Sequence, residues 1–351
     1  MTGQSDGIKG VLKRQYVWGI VAIILLLAVN VAKDTSYLSI GYNASNGALV
    51  GNVIDILRAA APVMMIALGM CLVVATSGID LSVGSVMVVA GAASMELLAG
   101  AANTPGAALT ALALALGISV VLGLVNGVLV SVVGLQPFIS TLVMMLAGRG
   151  VAKVITSGQN TAATNDTFRW IANGYVLGLP VVFVFAVLIV VLLGLLVRRS
   201  ALGLMIEAIG MDPAAARLAG VNRRGMLLAV YAISGLTAGI AGVFATASVM
   251  TVDISRTGDQ MEMDAILAVV IGGTSLAGGK FNLTGATIGA LLIATLDKTV
   301  VFLGISSSAT PAFKAIVIVV LCLLQSQRVR QLFVRRRTIS RPAPLVKEVA
   351  A

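Results

Sequence analysis

Histidine is absent from all 351 residues, which excludes Ser-His-Asp triads, His-ligated zinc and imidazole proton relays. Cysteine is almost as scarce. Cys71 and Cys322 stand far apart in apolar runs, with neither metal-ligand spacing nor a disulfide framework, and read as packing residues. Charged residues make up 11% of the chain and aromatics 5%. Soluble domains average about 25% charged residues, so this chain lacks the polar surface to cover itself in water. A phosphate-binding loop is also missing. Gly273 to Lys280 comes nearest, but Thr274 stands where the motif needs glycine, and Phe281 follows the lysine where it needs Ser or Thr.

Apolar residues are what the chain has, at 58%, together with 38 glycines. Small residues let helices approach closely inside a bilayer. Apolar stretches at about 16–32, 54–76, 82–100, 108–133, 135–155, 177–197, 226–248, 264–278, 284–303 and 312–326 predict an all-α, polytopic integral membrane protein with about ten transmembrane helices. The cleanest is 177–197, which carries no charge and as a helix reaches roughly 31 Å, the thickness of the hydrocarbon layer. The segment at 264–278 is shorter and broken by glycine, and is expected to cross together with its neighbour.

The formal net charge of +10 is gathered at segment ends and in the tail, a pattern of membrane orientation rather than of nucleic-acid binding. Lys9, Lys13 and Arg14 precede the first apolar run, and no small-x-small cleavage site closes it, so an uncleaved helix is expected. Ten crossings put both termini on the side of Arg198, Arg199, Arg217, Arg223 and Arg224. By the positive-inside rule that side is cytoplasmic. The expected organisation is a cytoplasmic segment at 1–15, one membrane domain at 16–326 with a long cytoplasmic loop at 198–225, and a basic cytoplasmic tail at 327–351.

That loop carries its own helix instructions. Asp212 can cap, Pro213 suits the first helical position, Ala214 to Ala219 favour helix, and Gly220 can end it. Two turns are marginal alone, so the helix is expected to pack against its own bundle or against another subunit. Asp80 reads first as a carboxylate accepting backbone N–H bonds at the start of the third crossing, and second as a contact for a polar substrate. Gly78, Gly84 and Gly91 read as close-packing or turn positions. The pairs Gly123/Gly127, Gly235/Gly239 and Gly285/Gly289 have the spacing of tight helix contacts. Asp55 with Arg58, and Asp297 with Lys298, read as local charge placement at helix ends. Asn126 and Gln136 fit either a sugar-lined path or polar helix contacts.

The arrangement Glu207, Gly210, Ala215, Ala216 and Gly220 resembles the cytoplasmic coupling loop of ABC importer permeases. Thr76-Ser77-Gly78-Ile79-Asp80-Leu81-Ser82-Val83-Gly84-Ser85 resembles a signature of the permeases for ribose, xylose and galactosides, and Leu267 to Gly279, with Gly272, Gly273, Gly278 and Gly279, resembles that family's second signature. The likeness extends over about residues 17–326, and the galactofuranose-type importers and the ribose importer show the most similar patterns. Asp212 stands where the family often has Asn. The resemblance implies a type II-like ABC importer permease with a cytoplasmic coupling helix, in the inner membrane of a bacterium. Glu207, Gly210, Asp212, Pro213, Ala215, Ala216, Arg217 and Gly220 would form its interface with an ATP-binding subunit. A second permease, identical or paralogous, and an external sugar-binding protein complete the set of partners. The chain itself would hold no cofactor, with ATP and Mg on the partner ATPase, and would not be an enzyme. Its cargo would be a pentose, a hexose or galactofuranose, or else an autoinducer-like furanosyl ligand. An ion-coupled secondary transporter is the rival class. Such a carrier needs an ionisable or carbonyl-lined site near the midplane.

Overall fold

A computed structural model describes residues 15–44 and 47–325. The N-terminal segment up to residue 14 and the basic tail at 327–351 lie outside the described residues. Each of the ten apolar stretches contains a helix. In chain order the helices are α1 Gln15–Lys33, α2 Asn52–Ala75, α3 Val83–Ala99, α4 Pro105–Val128 extended by a π-helical turn Leu129–Val133, α5 Pro137–Ile155, α6 Asp166–Asn173, α7 Val181–Arg199, α8 Leu202–Met211, α9 Pro213–Leu218, α10 Arg223–Val249, α11 Met261–Ile271, α12 Leu283–Leu303 and α13 Thr310–Gln325. Seven of them, α1, α2, α4, α5, α7, α10 and α12, are long and apolar enough to cross a membrane. The other three expected stretches hold the shorter helices α3, α11 and α13.

Side-chain caps set several of the boundaries. Thr104 accepts from the amide of Ala107, Asn222 from that of Gly225 and Asn282 from that of Gly285, while Pro105 and Pro137 occupy first-turn positions where no N–H is missed. The central helix is α2, whose residues from Val63 to Ala75 are all buried, and it packs against α10, α12 and α11. The peripheral helices α1, α4, α5 and α7 leave Leu25, Leu109, Leu146, Val154 and Leu192 exposed. Such a belt is at home in hydrocarbon, where it has no water to exclude.

At one end of the bundle Lys33 Nζ donates to the carbonyl of Phe302, Asn103 Nδ2 to Asp166, and Asn173 Nδ2 to the carbonyls of Ala247 and Ser248. Among the described residues, three two-stranded antiparallel pairs lie between helices. They join β1 (Gly41–Asn43) to β2 (Ala48–Val50), β3 (Thr161–Ala162) to β6 (Thr251–Val252), and β4 (Tyr175–Val176) to β5 (Leu179–Pro180). The opposite end carries the 198–225 loop.

Two expected crossings are redrawn. The stretch at 177–197 begins as a hairpin, with Leu177 and Gly178 at positive φ, and its helix runs over Val181–Arg199 instead. Gly178 supplies the turn, and Pro180 holds Leu179 extended just before the helix. The stretch at 264–278 is not one crossing: α11 starts earlier and ends at Ile271 after 11 residues, roughly 16 Å of helix. Residues 272–282 form a loop with Gly273, Gly278 and Gly279 at positive φ.

The glycine pairs pack within the chain, as their spacing suggests. Gly123 and Gly127 of α4 lie against Tyr231, Leu228 and Gly235 of α10, and Gly285 and Gly289 of α12 lie against Gly272 and Ala268. Cys71 is buried in α2 with its Sγ 3.4 Å from Thr274 Oγ1.

Candidate functional site

The short helix of the loop forms as its residues dictate. Asp212 Oδ1 accepts from the amides of Ala214 at 2.8 Å and Ala215 at 3.1 Å, Pro213 opens α9, and Gly220 follows it at φ +82°. Pro213, Ala214, Ala215, Arg217 and Leu218 are exposed, Leu218 at 91%. Ala216 faces the other way: at 4% exposure it belongs to the chain's own core cluster. Of the residues expected at a partner interface, Ala216 is thus one that packs against its own chain. Proline at the first position and the two-turn length fix the phase, and Ala216 falls on the inner side. Glu207 lies in α8, half-buried, lining a cleft of about 250 Å³ with Arg198, Leu204 and Asn282.

Behind this loop three separated pieces of sequence meet. Ser77, at φ +64°, donates its hydroxyl to the carbonyl of Gly210 at 2.9 Å and also lies 3.0 Å from that of Ala277. The amide of Gly279 donates to the carbonyl of Ala75 at 3.0 Å. A Cβ on Gly210 would collide with the Ala75 carbonyl and the Gly279 amide, and one on Gly278 would collide with Ser77 Oγ. The end of α2, the end of α8 and the 272–282 loop thus form one junction that only glycine backbones allow. Asn282 closes that loop: its Nδ2 donates to the carbonyl of Gly272, and its own amide donates to Thr274 Oγ1. The glycines of 272–279 face protein, and no cradle opens among them.

Asp80 lies deeper. Its partner Ser234 is eleven residues along α10, so the pair sits roughly 16 Å from that helix's start. Asp80 Oδ1 accepts from the Ser82 amide at 2.9 Å and from the Ser82 hydroxyl at 2.6 Å, and Oδ2 accepts from Ser234 at 2.7 Å. Asn126 Nδ2 donates to Ser82 Oγ at 2.8 Å. The carboxylate therefore braces the turn before α3 and ties it to α10, and Asn126 makes a polar helix contact. Non-helical backbone at such depth persists only where protein satisfies its polar groups. Gly78 lies beside the Tyr231 hydroxyl, and Gly84 admits the Gly258 carbonyl and Glu262. A second non-helical stretch, 253–260, is held there by Arg149, whose guanidinium donates to the Gly258 carbonyl at 3.2 Å. Both short helices α3 and α11 begin where these stretches end.

Sequence reasoning missed one ionic cluster. Lys314 of α13 lies 2.9 Å from both Asp264 of α11 and Asp297 of α12. Asp297 therefore pairs with a lysine of the following helix, a correction to its reading with Lys298. Its signal was present as three ionisable residues inside apolar runs, which tend to pair with one another. Among the described residues no group of three or more Cys, Asp and Glu side chains is arranged to hold a metal.

The chain is 52% identical over 332 residues to the fructose import permease protein FruF of Bifidobacterium longum, covering 93% of this chain and 92% of that one. It is 41% identical to the galactofuranose transporter permease protein YtfT of Escherichia coli, covering 90% and 92%, and 36% identical to the ribose import permease protein RbsC of the same species, covering 88% and 93%. No solved structure matches. Residues 52–324 match the model of a permease family, a span that holds both signature segments, the loop helix and the whole junction between them, and the chain thereby belongs to the family described as branched-chain amino acid transport system / permease component.

Proposed function

We propose that this chain is the membrane-spanning subunit of an ATP-driven importer that carries a monosaccharide across the cytoplasmic membrane of a bacterium. Identity of 52% to a fructose import permease along 93% of the chain carries the reading and makes fructose the first cargo to test, ahead of ribose and galactofuranose. The 198–225 end faces the cytoplasm, in keeping with Arg198, Arg199, Arg217, Arg223 and Arg224. There α9 seats in a groove of an ATP-binding subunit, presenting Ala215, Arg217 and Leu218 outward. ATP and Mg are held by that subunit, and a second permease and an external binding protein complete the assembly.

The mechanical argument runs through the junction. Force applied to α9 reaches α8, and α8 is joined through Gly210 to the end of α2 and to the 272–282 loop. The central helix and the helix pair α11–α12 therefore move with the loop rather than after it. Elements packed backbone to backbone have no soft side chains to absorb a displacement.

The test is uptake into proteoliposomes containing this chain, its second permease and its ATPase, with the binding protein and labelled fructose. Uptake that requires ATP, stops with vanadate and survives an uncoupler is the expected result. Uptake that collapses with the uncoupler and ignores vanadate refutes the proposal in favour of ion coupling.

A further inference from the structure

A cleft of about 480 Å³ opens beside α9, lined by Ser131, Val132, Arg217, Asn222, Arg223 and Arg224 among others. Three guanidiniums share it, and among the described residues none is paired with a carboxylate. Arg223 and Arg224 are the first two residues of α10, a 27-residue helix. Like charge at that position adds to the partial positive charge of the helix start, so the cleft concentrates positive potential, and among the described residues no carboxylate lies in ion-pair contact with its guanidiniums. Ser131 is 5% exposed, and its hydroxyl has no hydrogen-bond partner. A buried, unpaired hydroxyl is costly and uncommon. It stands ready to bond a ligand oxygen.

The surroundings indicate an amphiphilic ligand. The cleft lies where the spans Pro105–Val133, Pro137–Ile155 and Arg223–Val249 reach their loop-side ends. Next to it Val132, Val133, Leu135 and Phe138 are exposed apolar side chains. Basic pockets between membrane helices at that level suit lipid headgroups. We infer that this cleft binds the phosphodiester headgroup of an anionic phospholipid, with Arg223 and Arg224 around the phosphate, Ser131 donating to it, and the acyl chains lying along the end of α4 and the start of α5. This inference does not depend on the cargo of the importer.

The test compares phosphatidylglycerol with phosphatidylcholine of identical acyl chains, added to the detergent-solubilised full chain and followed by native mass spectrometry and thermal unfolding. The wild type is expected to retain phosphatidylglycerol and unfold at a higher temperature with it, and to do neither with phosphatidylcholine. Affinity should fall roughly fivefold for each arginine removed, hence about 25-fold in the double variant Arg223→Gln with Arg224→Gln. Ser131→Ala should lose several-fold in phosphatidylglycerol affinity without any loss of stability in lipid-free detergent, an effect that a structural role would not produce. Equal retention of the two lipids by the wild type overturns the inference. Inorganic phosphate that matches the stabilisation and displaces the lipid assigns the site to a soluble anion and overturns it as well. A double variant that binds phosphatidylglycerol normally but loses the ATPase subunit makes these arginines protein contacts, again overturning it.

Discussion

Gly210→Ala tests the junction most directly. The added methyl would enter the space of the Ala75 carbonyl and the Gly279 amide, both backbone groups that cannot swing aside. Overpacking of a close contact costs about 1–3 kcal/mol. Separating the strands of the junction also weakens the Gly279 to Ala75 bond at 3.0 Å and the Ser77 to Gly210 bond at 2.9 Å, each worth about 0.5–1.5 kcal/mol. A total of about 2–6 kcal/mol raises the fraction of molecules with a parted junction by at least roughly 30-fold. In proteoliposomes the expected outcome is ATP-dependent uptake reduced at least tenfold, while the ATPase subunit remains bound and hydrolyses ATP. Gly117→Ala is the control: no atom lies within 4 Å of its would-be Cβ, and alanine should stabilise a helix interior by about 0.5–1 kcal/mol. Wild-type uptake by Gly210→Ala, with an unfolding temperature equal to that of the control, would refute the argument that the glycine contact transmits force.

Further expectations separate the inner and outer faces of the same region. Leu218→Glu, on a side chain 91% exposed, should abolish co-purification of the ATPase subunit and leave the unfolding temperature within about 1 °C, since surface changes away from special features cost under about 0.5 kcal/mol. Ala216→Asp buries an unpaired carboxylate in the chain's own core and should destabilise the isolated subunit by about 2–4 kcal/mol, which thermal unfolding without any partner will show. Asp80→Ala orphans the Ser82 and Ser234 hydroxyls and the Ser82 amide. A loss of about 2–4 kcal/mol is expected, and Asp80→Asn should recover part of it because one acceptor oxygen remains. Lys314→Met leaves Asp264 and Asp297 without their shared cation and should cost about 3 kcal/mol. Asp264→Asn in the same chain should restore some of that, measured by unfolding in detergent.

Helix positions were legible wherever local chemistry decides them. Asp212 and Pro213 start α9, and Gly220 at positive φ follows its end. Such features need only neighbours in sequence, and hydropathy finds spans because a bilayer demands long apolar runs. Legibility failed where a stretch is apolar but not helical. Leu177 and Gly178 turn a hairpin, and residues 272–282 leave the helix, since burial in protein supports irregular backbone as well as it supports helix.

Composition and local pattern, then, determined that this chain lives in a bilayer, crosses it repeatedly, carries no nucleotide loop and exposes a capped two-turn helix. Each of these follows from transfer free energies and backbone geometry within a few residues. Only the tertiary structure decided that Ser77, Gly210 and Ala277 share one junction, that Asp80 ties α10 to the turn before α3, that Lys314 joins two aspartates, and that Ala216 faces inward. Those contacts join residues up to 200 positions apart along the chain. Sequence periodicity shows which face of a helix is apolar, but close approach depends on which neighbour that face meets.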